Sequence, residues 1–412
     1  MNTDSGRNAL RRLVSLIALS VGYGAAIAVA KLVPRPQRRG TLGQQRILVI
    51  GNFDNPNWFL AHITPLAQSG IKEVLLVADG FTDQVPGVRL LAPPRWADRL
   101  LTRAGAKFVF ALWHGLRLRP SLYVGYAIFP AATTALILGR LFRSPACFQL
   151  TSGPLELDGG GFHAENRLLC GLGKPSRWIE RLAHALTRQF DLMVVRGSQG
   201  HQYVRRLGYR GQMDVITGSI EIPDAREISG ARDIDLIFVG RLTERKRPER
   251  FLEIVSLVSR HVPHVRAVLV GDGPDRDALE GLIDTLGIRN NVALLGLRKD
   301  VGALLARSKI FVLTSRWEGV SIAMLEAMAA AVVPVANDVG DLADIVRRGE
   351  NGYLVEDNDV QASAAHIVAL LRDESKRALL AAAARETVVR RVSRNAVAQL
   401  WRDSLSRLFA QG

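Results

Sequence analysis

The chain has 412 residues, enough for two ordinary domains, and 48% of them are hydrophobic, which excludes a chain that is disordered throughout. Two cysteines are too few for a disulfide scaffold, a four-thiolate zinc site or an iron–sulfur cluster. The formal charge of +15 is uneven, because residues 1–230 hold 28 basic and 15 acidic side chains whereas residues 231–412 hold 26 and 24. A positive charge confined to one half indicates that this half faces something anionic.

The first predicted element is a hydrophobic helix within residues 1–40. Residues 13–30 carry no charge and lie between two groups of basic residues. As a helix they would extend about 27 Å, close to the thickness of a hydrocarbon core. We favour a membrane anchor that spans the bilayer or lies in its interface, with the body of the protein on the cytoplasmic face of the inner membrane. Two alternatives stay open: a cleaved signal peptide, and a helix packed on the protein's own core.

Residues 41–225 show short apolar runs that alternate with helical patterns. This alternation is typical of a parallel sheet covered by helices on both faces. The predicted strands are residues 46–51, 74–78, 122–125, 146–150 and 192–195, with a helix at about 131–142. After a hydrophilic stretch, a second domain over 226–392 has predicted strands at 235–240, 265–271, 292–296, 310–313 and 333–336. The predicted fold class is α/β, with two tandem Rossmann-like αβα domains and a ligand in the central cleft, outside the carboxyl ends of the strands.

One segment of the first domain combines basic and apolar residues. Arg95, Arg99, Arg103 and Lys107 are spaced by four, so on a helix they would form one basic stripe beside bulky apolar side chains. Such a stripe suits an anionic membrane surface. A solvated helix face is the alternative.

A glycine run, residues 159–161, predicts a mobile loop that binds the acceptor or, alternatively, an ordinary flexible connector. We place four residues on this acceptor side: Asn52, Ser152, Gly153 and His163.

Polar or glycine-rich segments follow the predicted strands of the second domain. Arg241 and Lys246 come after the strand that ends at Gly240, and two cations there can hold a diphosphate. The turn at residues 271–274 would let a ligand approach the backbone closely, and residues 337–341 follow another strand.

The segment from Glu318 to Glu326 follows the fourth predicted strand of this domain and should open a helix. The backbone N–H groups of Gly319, Val320 and Ser321 would then form an anion site at the helix N-terminus. Glu318 and Glu326 would border one cleft at different depths.

Six stretches within residues 236–355 carry a resemblance to a known family, and in chain order they are GRLTERK, VGDGP, LLGLRKDV, SRWEGVSIAMLEAMA, VPVANDVG and NGYLV. Together they resemble retaining glycosyltransferases of family four. These enzymes use nucleotide sugars and have the GT-B architecture with a Glu-x7-Glu motif. The resemblance implies catalytic roles for Glu318, Arg241 and Lys246, the two cations neutralising the leaving diphosphate. It implies a donor site without a metal or cofactor, and a last helix, 393–412, that packs back on the first domain. The implied donor-binding residues are Gly240, Gly296, Leu297, Arg298, Gly319, Val320, Ser321 and Glu326.

The chain departs from the family's pattern at several positions. Ala331 stands where glycine is common, and Asp344 where glutamate is common. The first domain lacks the family's glycine-rich turn after its first strand. The segment after residue 149 lacks the family's histidine, so no catalytic histidine is carried over.

The sequence therefore predicts a membrane-associated hexosyltransferase. It would move a hexose from a nucleotide diphosphate sugar, most simply a UDP-sugar, to a lipid-linked saccharide or glycolipid in exopolysaccharide or envelope polysaccharide synthesis. The alternatives are a sugar-nucleotide epimerase of the same architecture and a non-catalytic nucleotide-sugar-binding protein. We expect no nucleic-acid partner, because the second domain is nearly neutral and no nucleic-acid motif is present.

Overall fold

The computed structural model describes all residues except 1–2, 37–39, 54, 80–83, 152, 163–165, 358 and 411–412. The chain forms two compact units. Unit 1 contains Met1–Gly218 and Val397–Gly412, and unit 2 contains Ser219–Ala396. The boundaries differ by a few residues from the expected 225 and 392. Ile220 and Ser393 form a parallel bridge, so the chain enters and leaves unit 2 side by side.

Unit 1 is built on a sheet of seven parallel strands: β1 (Arg46–Ile50), β2 (Glu73–Val77), β3 (Val88–Leu90), β4 (Leu122–Tyr126), β5 (Ala146–Gln149), β6 (Leu192–Val195) and β7 (Gln212–Val215). Their order is β3-β2-β1-β4-β5-β6-β7. The five predicted strands are present. The two edge strands, β3 and β7, were missed because edge strands are partly exposed and lack a continuous apolar run.

In the described part of residues 1–218, the helices that accompany this sheet are α1 (Thr3–Leu32), α2 (Pro56–Ala67), α3 (Arg95–Leu118), α4 (Thr133–Leu141), α5 (Arg167–Cys170), α6 (Arg177–Thr187) and α7 (Ser198–Arg206). Local signals begin several of them. The Asn55 side chain accepts a hydrogen bond of 3.2 Å from the Trp58 N–H at the start of α2, and Pro56 occupies the first helical position.

The first helix, α1, packs on the core of unit 1. Leu19, Tyr23 and Ala26 are fully buried and belong to the same apolar cluster as Leu136 of α4. One face of α1 is therefore packed on its own domain, which is one of the three interpretations of this segment. The helix from Arg7 to Leu32 is also long and apolar enough to cross a membrane, by length and composition only.

The basic stripe predicted on α3 is not formed as expected. Thr102 has φ 62° and ψ 160°, which interrupts the helix between Arg99 and Arg103. The helix continues in a different phase, and Lys107 is only 6% exposed. Its ammonium group donates to Asn52 Oδ1 at 2.5 Å and to Asp79 at 2.7 Å, at the carboxyl edge of the sheet. The regular spacing failed because it assumed a continuous helix.

Unit 2 contains six parallel strands: β8 (Ile234–Val239), β9 (Ala267–Val270), β10 (Val292–Gly296), β11 (Ser308–Leu313), β12 (Val333–Asn337) and β13 (Tyr353–Val355). Their order is β10-β9-β8-β11-β12-β13. The accompanying helices are α8 (Pro248–Ser259), α9 (Arg276–Thr285), α10 (Val301–Ala306), α11 (Ile322–Ala329), α12 (Val360–Arg372) and α13 (Glu374–Val392). Five of the strands were predicted, and the three-residue edge strand β13 was missed. The predicted α/β class is confirmed in both units.

The last helix, α14 (Arg394–Ala410), groups with unit 1 from Val397 onward. Trp401 and Leu405 are buried. Ser404 and Arg407 each donate 2.7 Å hydrogen bonds to Asp214, which lies in β7.

Candidate functional site

Four loops meet at the carboxyl edge of the second sheet. They follow β9, β8, β11 and β12, which are neighbours in the sheet. The loops touch through their backbones. A Cβ added to Gly271 would lie 1.8 Å from the Gly240 carbonyl oxygen, and one added to Gly340 would lie 1.6 Å from that of Glu318. Glycine is therefore required at these two positions to bring the loops together.

An ion pair joins two of these loops. Lys246, after β8, donates to the Glu318 carboxylate, after β11, and their side chains are 12% and 7% exposed. Burial by itself would raise the pKa of Glu318, but the positive charges of Lys246 and Arg245 hold this pKa below its ordinary value. Glu318 is therefore a carboxylate at neutral pH, and Lys246 is held at the edge of the sheet.

A polar network that the sequence did not reveal fixes the same loops. Arg247 is buried, donates to the carbonyl oxygen of Thr314 at 3.1 Å and forms an ion pair with Asp357. Asn337 donates to the same carbonyl oxygen at 3.1 Å and to Asp357 at 3.2 Å. Both side chains bind backbone at the ends of β11, so they position the segment that leads to Glu318. Only the tertiary fold brings these distant residues together.

Several groups at this edge have no partner among the described residues. The backbone N–H groups of Gly319, Val320 and Ser321 donate to no described group. Ser321 caps α11, its hydroxyl accepting a 3.4 Å hydrogen bond from the Met324 N–H. The Arg241 side chain is exposed and forms no ion pair with any described residue. Free N–H groups beside an unpaired guanidinium favour an anion with several oxygens.

Glu326 lies in the second turn of α11 and is half-buried. Its carboxylate has no hydrogen-bond partner among the described residues. Burial raises its pKa to about 7. A half-buried acceptor without donors is suited to hydroxyl groups of a ligand.

The remaining predicted donor-binding residues follow β10. Gly296 has a left-handed φ of 65°, and Leu297 is 80% exposed. Arg298 does not face inward as a free cation but forms a two-pronged ion pair with Asp300, at 2.8 and 2.7 Å. This turn therefore presents an apolar side chain, Leu297, to any ligand that reaches it.

On the predicted acceptor side, Asn52 and Gly153 are described, whereas Ser152 and His163 lie outside the described residues. Asn52 is exposed and accepts from Lys107. The predicted mobile glycine loop is a packed turn instead. A Cβ on Gly160 would lie 2.9 Å from the Ile179 side chain, and one on Gly161 would lie 2.6 Å from the Glu156 carbonyl oxygen. Close packing explains why this run consists of glycine.

A buried arginine at the carboxyl edge of the first sheet was missed by the sequence reasoning. Arg196 follows β6, is 7% exposed, and its Nη1 lies 2.7 Å from His62 Nδ1. Among the described residues, its Nη2 is buried without a hydrogen-bond partner, as is the hydroxyl of Tyr126 at the end of β4. Trp58 lies 5.8 Å from the guanidinium carbon.

Electrostatics keep this arginine charged and its neighbour neutral. Burial lowers the pKa of Arg196 to about 10, so the guanidinium stays protonated at neutral pH. Burial, with the positive charge of Arg196, lowers the pKa of His62 well below its ordinary value. Arg196 therefore carries a buried positive charge that no carboxylate pairs with directly among the described residues. Such a charge favours an anionic ligand.

One group of side chains in the described part of the chain has the composition of a metal site. Potential ligand atoms of Asp158, Glu180 and His184 lie within 4.8 Å of one another. The Tyr203 hydroxyl donates to Asp158 and lies 3.2 Å from His184 Nε2, so two of the three groups already have partners.

Two doubly wound parallel sheets, with unpartnered polar groups of the described residues at their carboxyl edges, agree with the GT-B class of fold. Solved structures confirm this fold: Anabaena Alr3699/HepE, in complex with UDP-glucose, aligns with a TM-score of 0.70 at 20% identity, covering 88% of this chain and 100% of that one. Within the class, residues 221–387 match the family described as Glycosyl transferases group 1. This region contains the whole predicted donor site.

Two curated relatives are a synthase and a glycosyltransferase. N-acetyl-alpha-D-glucosaminyl L-malate synthase of Bacillus anthracis is 33% identical over 145 residues, which are 35% of this chain and 38% of that protein. Lipopolysaccharide core biosynthesis glycosyltransferase LpsE of Rhizobium meliloti (strain 1021) is 29% identical over 225 residues, which are 53% of this chain and 65% of that protein. The chain thus spans less than two thirds of the length of each.

Proposed function

We propose that this protein is a retaining glycosyltransferase that moves a hexose from a UDP-sugar to a lipid-linked saccharide or glycolipid in envelope polysaccharide synthesis. We place it at the cytoplasmic face of the inner membrane. One observation carries the donor half of the proposal. Among the described residues, three N–H groups and the Arg241 side chain at one sheet edge have no partner, and neither has the Glu326 carboxylate in the second turn of the helix that begins there. The UDP-glucose complex of HepE and the lipopolysaccharide role of LpsE support the donor and the acceptor class.

The chemistry follows from the charges. Breaking a glycosyl–phosphate bond places negative charge on the leaving diphosphate and positive charge on the sugar ring. Arg241, Lys246 and the N–H groups before α11 would stabilise the diphosphate without a metal, because they are positioned before the reaction begins. The Glu326 carboxylate would accept hydrogen bonds from the ribose hydroxyls, and Glu318 would hold Lys246 and border the sugar.

Unit 1 would supply the acceptor side. The buried charge of Arg196 offers a place for an anionic group, such as the diphosphate of a lipid-linked saccharide. The name of the Bacillus anthracis relative contains L-malate, which is also an anion, so charge alone does not select a lipid. The lipid acceptor rests on the apolar N-terminal helix and on the excess of basic residues in the first half of the chain.

A transfer assay tests the proposal. Membranes that carry the full chain are incubated with a panel of radiolabelled nucleotide sugars and lipid extract, and label in the lipid phase is measured. We expect one UDP-sugar to label lipid, and we expect Glu326→Ala and Lys246→Ala to abolish the transfer. Lys309→Ala is the matched control, because Lys309 pairs with Asp235 at the amino end of the same sheet. Its transfer should be close to that of the unmodified chain.

Three outcomes would contradict the proposal in different parts. Full transfer by both donor-site variants would reject the site. Transfer only to a water-soluble acceptor would reject the lipid acceptor. Conversion of the donor into its free epimer, with no acceptor labelled, would identify an epimerase.

A further inference from the structure

Helix α1 has two apolar faces. The inner face is buried in unit 1 and consists of Ser15, Leu19, Tyr23, Ala26 and Ala30. The outer face is an apolar stripe at helical spacing. Its large side chains are between 51% and 82% exposed, and they are Leu10, Leu13, Val14, Ile17, Val21 and Leu32. A helix of a water-soluble surface would carry polar residues on this outer face.

The inner face is fixed along its length. It contacts α4 and α6, and α4 is almost entirely buried between α1 and the sheet. Two hydrogen bonds tie the helix and the residues after it to α6. Trp178 Nε1 donates to Ser20 Oγ at 3.1 Å, and Arg35 Nη2 donates to the carbonyl oxygen of Arg188 at 3.1 Å.

This packing distinguishes two ways in which α1 could associate with a membrane: crossing the bilayer or lying in its interface. To cross a bilayer, α1 would have to leave α4 and α6, which would expose Leu136 and its apolar neighbours, or draw these helices into hydrocarbon. The domain keeps its core only if α1 stays beside α4. We therefore infer that α1 does not span the membrane but lies in the plane of one leaflet, with the outer stripe in the lipid and the inner face in the protein.

The basic residues of α1 indicate that its outer stripe binds a membrane with anionic lipids. Residues 7–32 contain four basic and no acidic side chains. The basic residues lie at the two ends of the stripe, where their long side chains can reach lipid headgroups. A second copy of the protein is disfavoured as the partner of this stripe. Whether the two α1 helices paired parallel or antiparallel, their basic ends would lie next to each other.

A second helix of unit 1 also exposes large apolar side chains. Helix α3 contacts α4, the helix on which α1 packs. Trp96, Leu100 and Trp113 of α3 are 62%, 75% and 58% exposed. Trp178, beside α1, is 59% exposed. Exposed tryptophans next to arginines are typical of the membrane interface.

The first experiment measures binding to vesicles by flotation. Vesicles contain either phosphatidylcholine alone or an equimolar mixture with phosphatidylglycerol, and no sugar donor is present. We expect at least about tenfold tighter binding to the anionic vesicles, and at least about tenfold weaker binding when Ile17→Glu and Val21→Glu are combined. The control combines Leu379→Glu and Val389→Glu on α13 of unit 2, which are also exposed apolar positions. It should bind as the unmodified chain does.

The second experiment determines topology by cysteine labelling. Cys170 is exposed and Cys147 is buried, so the unmodified chain has one accessible thiol. A double variant, Ala9→Cys/Cys170→Ser, has its accessible thiol near the start of α1 instead. Sealed membrane vesicles of known orientation are treated with a membrane-impermeant maleimide. We expect both thiols to react from the same side.

Labelling from opposite sides would show that α1 spans the bilayer and would overturn the inference. So would equal vesicle binding by the Ile17→Glu/Val21→Glu chain, provided that its unfolding midpoint matches that of the control. If those substitutions instead convert a dimer to a monomer and leave vesicle binding unchanged, the stripe is a subunit interface. The inference rests on the proposed membrane association and not on the transfer chemistry, so failure of the transfer assay leaves both measurements interpretable.

Discussion

Lys246 and Glu318 form a largely buried ion pair that connects the loop after β8 to the loop after β11. Lys246 is already partly neutralised by Glu318, whereas Arg241 forms no ion pair with any described residue. In the proposed donor site, Arg241 would therefore meet a diphosphate with its full charge. The pair therefore fixes the shape of the anion site more than it adds to its net charge.

Removing one partner of this pair should destabilise unit 2. Lys246→Met leaves Glu318 buried without its cation, and we expect a loss of about 3 kcal/mol in the free energy of unfolding. The double variant Lys246→Met/Glu318→Gln should recover part of this loss, which urea unfolding of the four chains in a double-mutant cycle would show. Additive losses would mean that the two side chains do not stabilise one another. Since the pKa of Glu318 is lowered, its contribution should be present above the ordinary carboxyl pKa and vanish as the pH falls.

Glu326 should have the opposite pH dependence. Its pKa is raised to about 7, so between the ordinary carboxyl value and pH 7 the folded chain holds a proton that the unfolded chain has lost. Stability therefore falls as the pH rises through this range, by up to about 3 kcal/mol. Glu326→Gln removes this penalty. It should be more stable than the unmodified chain at pH 8 and equal to it near pH 4, while its donor affinity falls. A stability difference that does not change with pH would contradict the raised pKa.

Arg196 should matter more for function than for folding. Because its buried charge lacks an ion pair, Arg196→Met should change the free energy of unfolding by less than about 1 kcal/mol, or should stabilise the chain. Arg140 is the matched control, since it is also buried but pairs with Asp191 at 2.9 Å. Arg140→Met should cost about 3 kcal/mol. In the transfer assay, Arg196→Met should raise the KM for the acceptor and leave the KM for the donor unchanged. An equal rise in both would place Arg196 outside the acceptor site.

Ala331, where the related family often has glycine, has a left-handed φ of 56°. An alanine in this conformation costs about 1 kcal/mol relative to glycine. We therefore expect Ala331→Gly to raise the free energy of unfolding by about 1 kcal/mol. Its neighbour Ala330 has φ −79°, so Ala330→Gly should instead lower it by about 0.5–1 kcal/mol. Thermal or urea unfolding of the two variants distinguishes a conformational effect from a general effect of glycine in this turn.

The sequence predicted the central strands and the loops after them, because a strand buried on both faces is a continuous apolar run whose end is marked by glycine or a polar residue. It placed both Lys246 and Glu318 at the carboxyl ends of predicted strands, because the loops that follow parallel strands lie at one edge of a sheet. It could not predict that these two side chains would pair. Arg298 shows the same limit, since its ion pair with Asp300 was not visible in the motif.

In unit 1, prediction failed where a residue's environment is made by distant parts of the chain. Lys107 was predicted to lie in an exposed basic stripe, facing a membrane or solvent, because the helical spacing was regular, but the break at Thr102 turns it inward. Arg196 had no distinguishing pattern in the sequence. Its burial depends on His62 and Trp58, which lie more than 130 residues earlier in the chain.

The place of α1 in the structure also has a consequence for how the protein is made. During synthesis α1 leaves the ribosome before α4 and α6, which are at least 100 residues further along the chain. Until those helices emerge, both apolar faces of α1 are without partners. Once unit 1 has folded, only the outer face remains. With α1 in one leaflet, as inferred above, the nascent helix would therefore offer a membrane more apolar surface than the folded protein does.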